Sequence, residues 1–117
     1  MDETTGEELT PLAHSSSRRV FAEQTAEKLQ ELLAGVVAEG TGRQAAPSEG
    51  TAAGKTGTAQ TGQFRDGEEL KNYWFAGFYP AEKPRWTIVV MQDAQTEPEV
   101  SSAAVFARLC DALSAGE

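Results

Sequence analysis

The sequence predicts an α+β fold in which a helix, a three-stranded antiparallel sheet and a second helix follow one another along the chain. Three observations carry that expectation. Apolar residues recur at helical spacing near each end, the middle holds runs rich in β-branched and aromatic residues, and the last two runs are too close in sequence for a parallel crossover. With 117 residues and 39% hydrophobic content, the chain has room for one domain with a modest core.

Residues 1–19 open with acids and end in Ser15-Ser16-Ser17-Arg18-Arg19. That composition buries too little apolar surface to offset the entropy of ordering. They read as a flexible tail or severed linker, with 20–117 as the folded portion. From Ala22 to Glu39, Ala22, Ala26, Leu29, Leu33, Val36 and Val37 fall on one side of a helix, with Glu23, Glu27, Lys28 and Glu31 on the other. Gly40 stands where a helix C-cap calls for positive φ, and Thr41-Gly42 and Pro47-Ser48-Glu49-Gly50 continue as loop. Strands are expected over 51–60, 72–79 and 86–92. The last two carry Tyr73-Trp74-Phe75 and Trp86-Thr87-Ile88-Val89-Val90, and the short link Pro80 to Arg85 makes them an antiparallel hairpin. The stretch Thr61 to Lys71, with Gly62, Asp66 and Gly67, reads as an exposed loop. After Glu97-Pro98-Glu99 a second helix runs from Val100 to Ser114, with Phe106, Leu109, Cys110 and Leu113 on one face. Packing the helices on the sheet predicts a core of Trp74, Trp86, Leu29, Leu33, Phe106 and Leu113.

Eighteen acidic and ten basic residues give a formal charge of −8, which argues against nucleic acid, since phosphate neutralisation needs clustered Lys and Arg. The same charge makes Trp74, Phe75, Tyr79 and Trp86 sheet-core residues rather than a base-stacking platform. A lone cysteine, Cys110, and a lone histidine, His14, exclude an intrachain disulfide and assemble neither a metal site nor a Cys/His pair. His14 sits in the polar tail without ligand neighbours, and Cys110 reads as a small core residue. No cofactor is implied. No apolar run approaches the roughly 20 residues of a membrane span, and Met1-Asp2-Glu3 does not open a signal peptide.

Gly54-Lys55-Thr56 first invites a phosphate-loop reading. The glycine spacing contradicts it: five residues before Gly54 stands Glu49, a carboxylate where phosphate would sit, and Gly50 is one residue too near. Gly57, Thr58, Thr61 and Gly62 also make poor interior residues for the helix that motif requires. The plain alternative is a Gly/Thr-rich strand with one exposed lysine. Thr51-Ala52-Ala53 and Thr58-Ala59 flank the triplet with small residues, so another backbone can approach, as when a peptide adds itself as a strand.

Lys-Thr-Gly also accompanies Ser-x-x-Lys and Ser-x-Asn-type motifs in penicillin-interacting enzymes. Here Leu32-Leu33-Ala34-Gly35-Val36-Val37, Gly40-Thr41-Gly42, Ala53-Gly54-Lys55-Thr56-Gly57-Thr58-Ala59-Gln60, Trp74-Phe75-Ala76-Gly77-Phe78-Tyr79-Pro80 and Ile88-Val89-Val90 follow in order. Over residues 20–114 this series resembles the C-terminal part of a penicillin-binding protein transpeptidase domain, of the monofunctional class B type rather than a β-lactamase. The resemblance implies serine acyl transfer on D-Ala-D-Ala stem peptides of peptidoglycan, with β-lactams attacked the same way. It implies that Lys55 faces the substrate carboxylate and the catalytic centre, that the Thr56 and Thr58 hydroxyls hold that carboxylate, and that Gly57 leaves room for the ligand. The Thr58 N–H would be one oxyanion-hole donor, and the backbones of Thr58 and Gln60 would pair with the peptide.

No Ser in these 117 residues is followed three positions later by Lys, and no Ser-x-Asn occurs. By resemblance those motifs are expected upstream of Met1, so this chain alone is expected to be inactive. The remainder of the transpeptidase domain is then its expected partner. Apolar surface left bare by that missing part predicts self-association. The family places the parent protein at the outer face of the bacterial cytoplasmic membrane, while this chain reads as soluble, with no signal or anchor of its own. A non-catalytic binding or interaction module retaining the fold is the alternative. Arg65 and Lys71, after the motif strand, read as solvated loop residues.

Overall fold

The computed structural model describes residues 16–116. In them α1 (Glu23–Ala38), a 3₁₀ turn (Arg43–Ala45), β1 (Ala53–Arg65), β2 (Glu68–Tyr79), β3 (Trp86–Gln95) and α2 (Ser102–Ala115) follow in order. The strands form one antiparallel sheet in the order β1-β2-β3, so the expected helix, sheet and helix arrangement is what forms. Of the expected tail, residues 16–19 carry no regular structure and are exposed. The rest of it, His14 included, lies outside the described residues.

The stretch expected as loop over 61–71 is instead mostly strand. Only Asp66-Gly67 turns, with φ of 52° and 81°, the pair of positive values that a two-residue type I′ hairpin demands and that Asp-Gly supplies. β1 therefore runs on to Arg65 and β2 begins at Glu68, carrying Arg65 and Lys71 onto the hairpin. The register shifts between Gln60 and Gln63, where Gly62 takes φ 75° and Thr61 Oγ1 accepts from the Gln63 N–H at 3.1 Å. This bulge absorbs the Thr61-Gly62 pair that looked like a strand end.

Gly40 is a second correction. The C-cap is Glu39 at φ −135°, and Gly40 is not among the positive-φ glycines. Close approach explains it instead, because a Cβ there would stand 3.1 Å from both the Cα and carbonyl oxygen of Val36. At the other end, Ser101 caps α2 by accepting from the Ala104 N–H at 3.1 Å, the usual work of an N-cap serine.

Pairing in register puts Gly54, Gly77 and Ile88 in one row, Thr56, Phe75 and Val90 in the next, and Thr58, Tyr73 and Gln92 in the third. This face meets the helices. Phe75 and Phe106 are fully buried, their ring centroids 4.6 Å apart at 50°, an arrangement that favours edge against face. Val37, Ala45, Ala52, Tyr79, Ala103 and Cys110 complete the core, with Trp86, Ile88 and Val90 packed against it. Phe106 and Trp86 thus take their expected places, while Leu33 and Leu113 are half-buried. Trp74 and Leu29 do not join them: they are 38% and 42% exposed. Alternation is the reason, since Phe75 points inward and Trp74 must point out, where it shares the outer face with Met91, its partner on β3.

Cys110 is buried as expected, and burial, followed by the neighbouring Asp111 carboxylate, pushes its thiol up to about 11. The thiolate is the reactive form, so Cys110 should resist iodoacetamide at pH 8 in the native chain. Labelling that appears only across the urea transition is the expected result, read by mass spectrometry.

Candidate functional site

β1 lies at the edge of the sheet, paired on one side with β2 and, among the described residues, open on the other. Which residues face the open side follows from one close contact. The Ala53 carbonyl oxygen stands 2.3 Å from where a Cβ on Gly77 would be, so Ala53 turns its backbone toward β2. Alternation along an antiparallel ladder then turns the backbones of Gly54, Thr56, Thr58 and Gln60 outward. Beyond Gln60 the bulge interrupts the ladder, which ends the regular edge at Gln60.

The side chains divide by the same alternation. Thr56 and Thr58 share the helix-facing side and line one cleft of about 180 Å³. Its other walls are Gly57 between them, Thr41 and Gln44 from the loop and 3₁₀ turn after α1, Tyr73 and Trp74 of β2, the segment Glu97-Pro98, and Ser101 to Ala103 at the start of α2. Lys55 leaves the strand on the opposite face, yet its ammonium donates to the Thr56 carbonyl and to Thr56 Oγ1, each at 3.2 Å. The cation is therefore delivered to the hydroxyl side of the strand.

The cleft wall is tied down by hydrogen bonds. Ser102 Oγ donates to the Tyr73 carbonyl at 2.8 Å and accepts from Gln92 Nε2 at 3.1 Å, and the same amide donates to the Val100 carbonyl at 2.9 Å. Ser101 Oγ donates to Gln44 Oε1. These bonds fix the start of α2 against β2, β3 and the loop that precedes β1. Gln44, Tyr73, Glu97 and Ser101 were missed as site residues in the sequence. Ser101 could have been found as an N-cap, but a cap does not say which strand it faces. Glu97 adds a negative group to the rim, opposite in sign to Lys55.

Two glycines of the motif differ sharply in what holds them. A Cβ on Gly54 would meet the Ala76 carbonyl oxygen and Phe75 Cε1 at 2.6 Å each, so this fold excludes a side chain there. A Cβ on Gly57 would touch only Trp74 Cβ, at an ordinary 3.7 Å. Packing within the chain does not ask for Gly57. Gln60 is exposed and lies outside the cleft. Among the described residues no group of His, Cys, Asp and Glu could hold a metal ion, and no helix is long and apolar enough to cross a membrane.

A family model for the penicillin-binding protein transpeptidase domain matches residues 6–111. Stage V sporulation protein D of Bacillus subtilis is 40% identical over 81 residues, covering 67% of this chain. The chain spans 12% of that protein's length. Penicillin-binding protein 3 of Mycobacterium tuberculosis, solved in complex with aztreonam, superposes with a TM-score of 0.69 at 32% identity. That match covers 84% of this chain and 25% of the other. The transpeptidase domain of Burkholderia pseudomallei penicillin-binding protein 3, solved in its apo form, superposes at 0.72 with 26% identity, covering 94% of this chain and 35% of that domain.

Proposed function

We propose, from the premise that this chain belongs to the penicillin-binding protein transpeptidase domain family, that β1 is the substrate-binding strand of a peptidoglycan cross-linking site. The nucleophile of that site would come from a part of the domain outside these residues. The single observation that carries the reading is the strand edge itself: Thr56 and Thr58 line one cleft and turn their backbones to the side of β1 that no described strand covers. Gly57 between them turns its bare α-carbon to the outer face, where a Cβ would meet only Trp74 Cβ at 3.7 Å, so a strand laid along this edge can approach closely.

The chemistry is acyl transfer. A serine Oγ attacks the penultimate D-Ala carbonyl, the terminal D-Ala leaves with a proton as the acyl-enzyme forms, and an amine or water then takes the acyl group. β-Lactams would acylate the same serine by ring opening, with no leaving group departing. In this scheme Thr56 and Thr58 donate to the substrate's terminal carboxylate, and Lys55 supplies the positive charge beside them. The Thr58 N–H, aimed at the open edge, stabilises the oxyanion, and the Thr58 and Gln60 backbones extend the peptide as an added strand. The parent protein would act at the outer face of the cytoplasmic membrane, where that substrate lies.

The chain matches 35% of a whole transpeptidase domain and carries no Ser-x-x-Lys. Fluorescent penicillin should therefore leave this polypeptide unlabelled and label its mixture with a polypeptide bearing the remaining part of such a domain, on the serine of that part. Labelling of this chain by itself would overturn the assignment. The absence of Ser-x-x-Lys equally suits a binding module without catalysis. That reading predicts saturable D-Ala-D-Ala peptide binding by the chain alone and no labelling of the mixture.

Gly57→Ala separates ligand room from fold. The chain's own stability should stay unchanged or rise by up to about 1 kcal/mol, while penicillin labelling of the mixture slows. Urea titration and labelling rates check the two halves.

A further inference from the structure

A second concavity, sharing no lining residue with the motif cleft, is larger and more apolar. It is a groove of about 510 Å³ beside α1, floored by residues such as Ala34, Val37, Pro47 and Ala81. Its rim carries Glu27, Glu31 and Glu82, and no Lys or Arg is among the described residues lining it. Glu31 pairs with Lys28 at 3.5 Å, but both side chains are exposed, so the pair neutralises little. Thr51 donates its hydroxyl to Glu82 and holds that carboxyl below the ordinary range, so the rim stays negative. The groove suits an extended segment in which cations precede a large apolar side chain.

The chain carries such a segment. Arg18-Arg19-Val20-Phe21 precedes α1 without regular structure, and Val20 and Phe21 are 73% and 58% exposed. Arg19 Nη1 donates to the Phe21 backbone carbonyl at 3.3 Å, at an exposed position. An extended run from Arg18 to Ala22 covers about 13–14 Å, and the groove wall from Glu27 to Ala38 runs about 16 Å along the helix axis. The segment enters α1 directly, so reaching its own groove would mean doubling back over the first turn of its own helix.

We infer that the Arg18–Phe21 segment of one copy docks in the acid-rimmed groove beside α1 of a second copy, so that the chain self-associates by reciprocal exchange of these arms. Phe21 fills the apolar floor, and Arg18 and Arg19 meet the rim carboxylates. A two-fold pair makes this contact twice. It goes beyond the acyl-transfer reading and does not depend on it.

The test uses two variants, each defective in one half of the contact. The arm variant is Arg18→Glu, Arg19→Glu, Phe21→Ala. The groove variant is Gly35→Leu, chosen because Gly35 lines the groove and a Cβ there meets nothing within 4 Å. Sedimentation velocity over a concentration series should show the parent dimerising, less tightly as salt is raised. Each variant alone should associate about tenfold or more weakly. An equimolar mixture should recover a one-to-one dimer, because it holds one intact arm and one intact groove. A parent that stays monomeric overturns the inference, as does a mixture that fails to pair. An arm variant that dimerises as tightly as the parent also overturns it, moving the contact to the outer sheet face of Trp74 and Met91.

Discussion

Gly77→Val is expected to abolish cooperative folding of the chain. Gly77 pairs with Gly54 on the helix-facing side of the sheet. A Cβ on Gly77 would lie 2.3 Å from the Ala53 carbonyl oxygen and 3.0 Å from both Phe106 Cζ and Phe75 Cε1. The first obstacle is backbone, which a rotamer change cannot clear, and the other two are rings already packed on each other. Valine adds two methyl groups beyond that clash. Overpacking a filled core commonly costs about 1–3 kcal/mol, and opening the β1-β2 pair to relieve it would sacrifice ladder bonds as well. Folded domains hold a margin of about 5–15 kcal/mol, and a chain this short belongs near the low end. Far-ultraviolet circular dichroism under urea should show the parent's transition lost or moved to very low denaturant. Gly62→Ala, away from any contact within 4 Å, should keep the transition and pay only for its positive φ. If Gly77→Val unfolded like the parent, the register that places Gly54 opposite Gly77 would be wrong.

The element order was legible because periodicity and composition agreed for the helices and for the run Trp86 to Val90. What the sequence concealed was decided at single residues. Asp66 and Gly67 read only as part of a loop over 61–71, and Thr61 and Gly62 masked the strand before them until the bulge showed how they are absorbed. Trp74 and Phe75 are both large and aromatic. Their hydrophobicity is nearly equal, and only the parity set by pairing with Gly57 and Thr56 decides which is buried. The motif strand was readable from Lys55 to Gln60 as a pattern, and the facing of Thr56 and Thr58 followed from alternation alone. The opposing wall was not readable. Gln44, Tyr73 and Ser101 come from three separate parts of the chain, and each has a sufficient local reason to be where it is. Gly54 and Gly57 looked equivalent in the motif, and only the neighbours that surround each show that the fold needs one and not the other.

Replacing Thr58 by proline should separate the oxyanion-donor role proposed for its N–H from everything else this strand does. Thr58 turns its N–H to the open edge by the alternation that Ala53 and Gly77 establish, so the substitution removes no bond to β2. Proline is tolerated on edge strands when the lost N–H faces outward, and the chain's circular dichroism and urea midpoint should remain close to the parent's. With that N–H acting as one of two oxyanion donors, as proposed, its loss in the reconstituted domain should slow acylation by penicillin by about 10²–10³, or roughly 3–4 kcal/mol of transition-state stabilisation. Thr58→Val supplies the contrast. It keeps the N–H and removes the hydroxyl, so it should cost one hydrogen bond to a charged group, about 1.5–3 kcal/mol, and should affect ligands that carry the carboxylate more than those that lack it. Stopped-flow acylation with a chromogenic β-lactam resolves the two patterns. A Thr58→Pro domain that folds and acylates at the parent's rate would remove Thr58 from the oxyanion hole. A chain that unfolds on that substitution would show instead that the N–H belongs to the β1-β2 ladder, and the substrate would have to approach β1 from a different side.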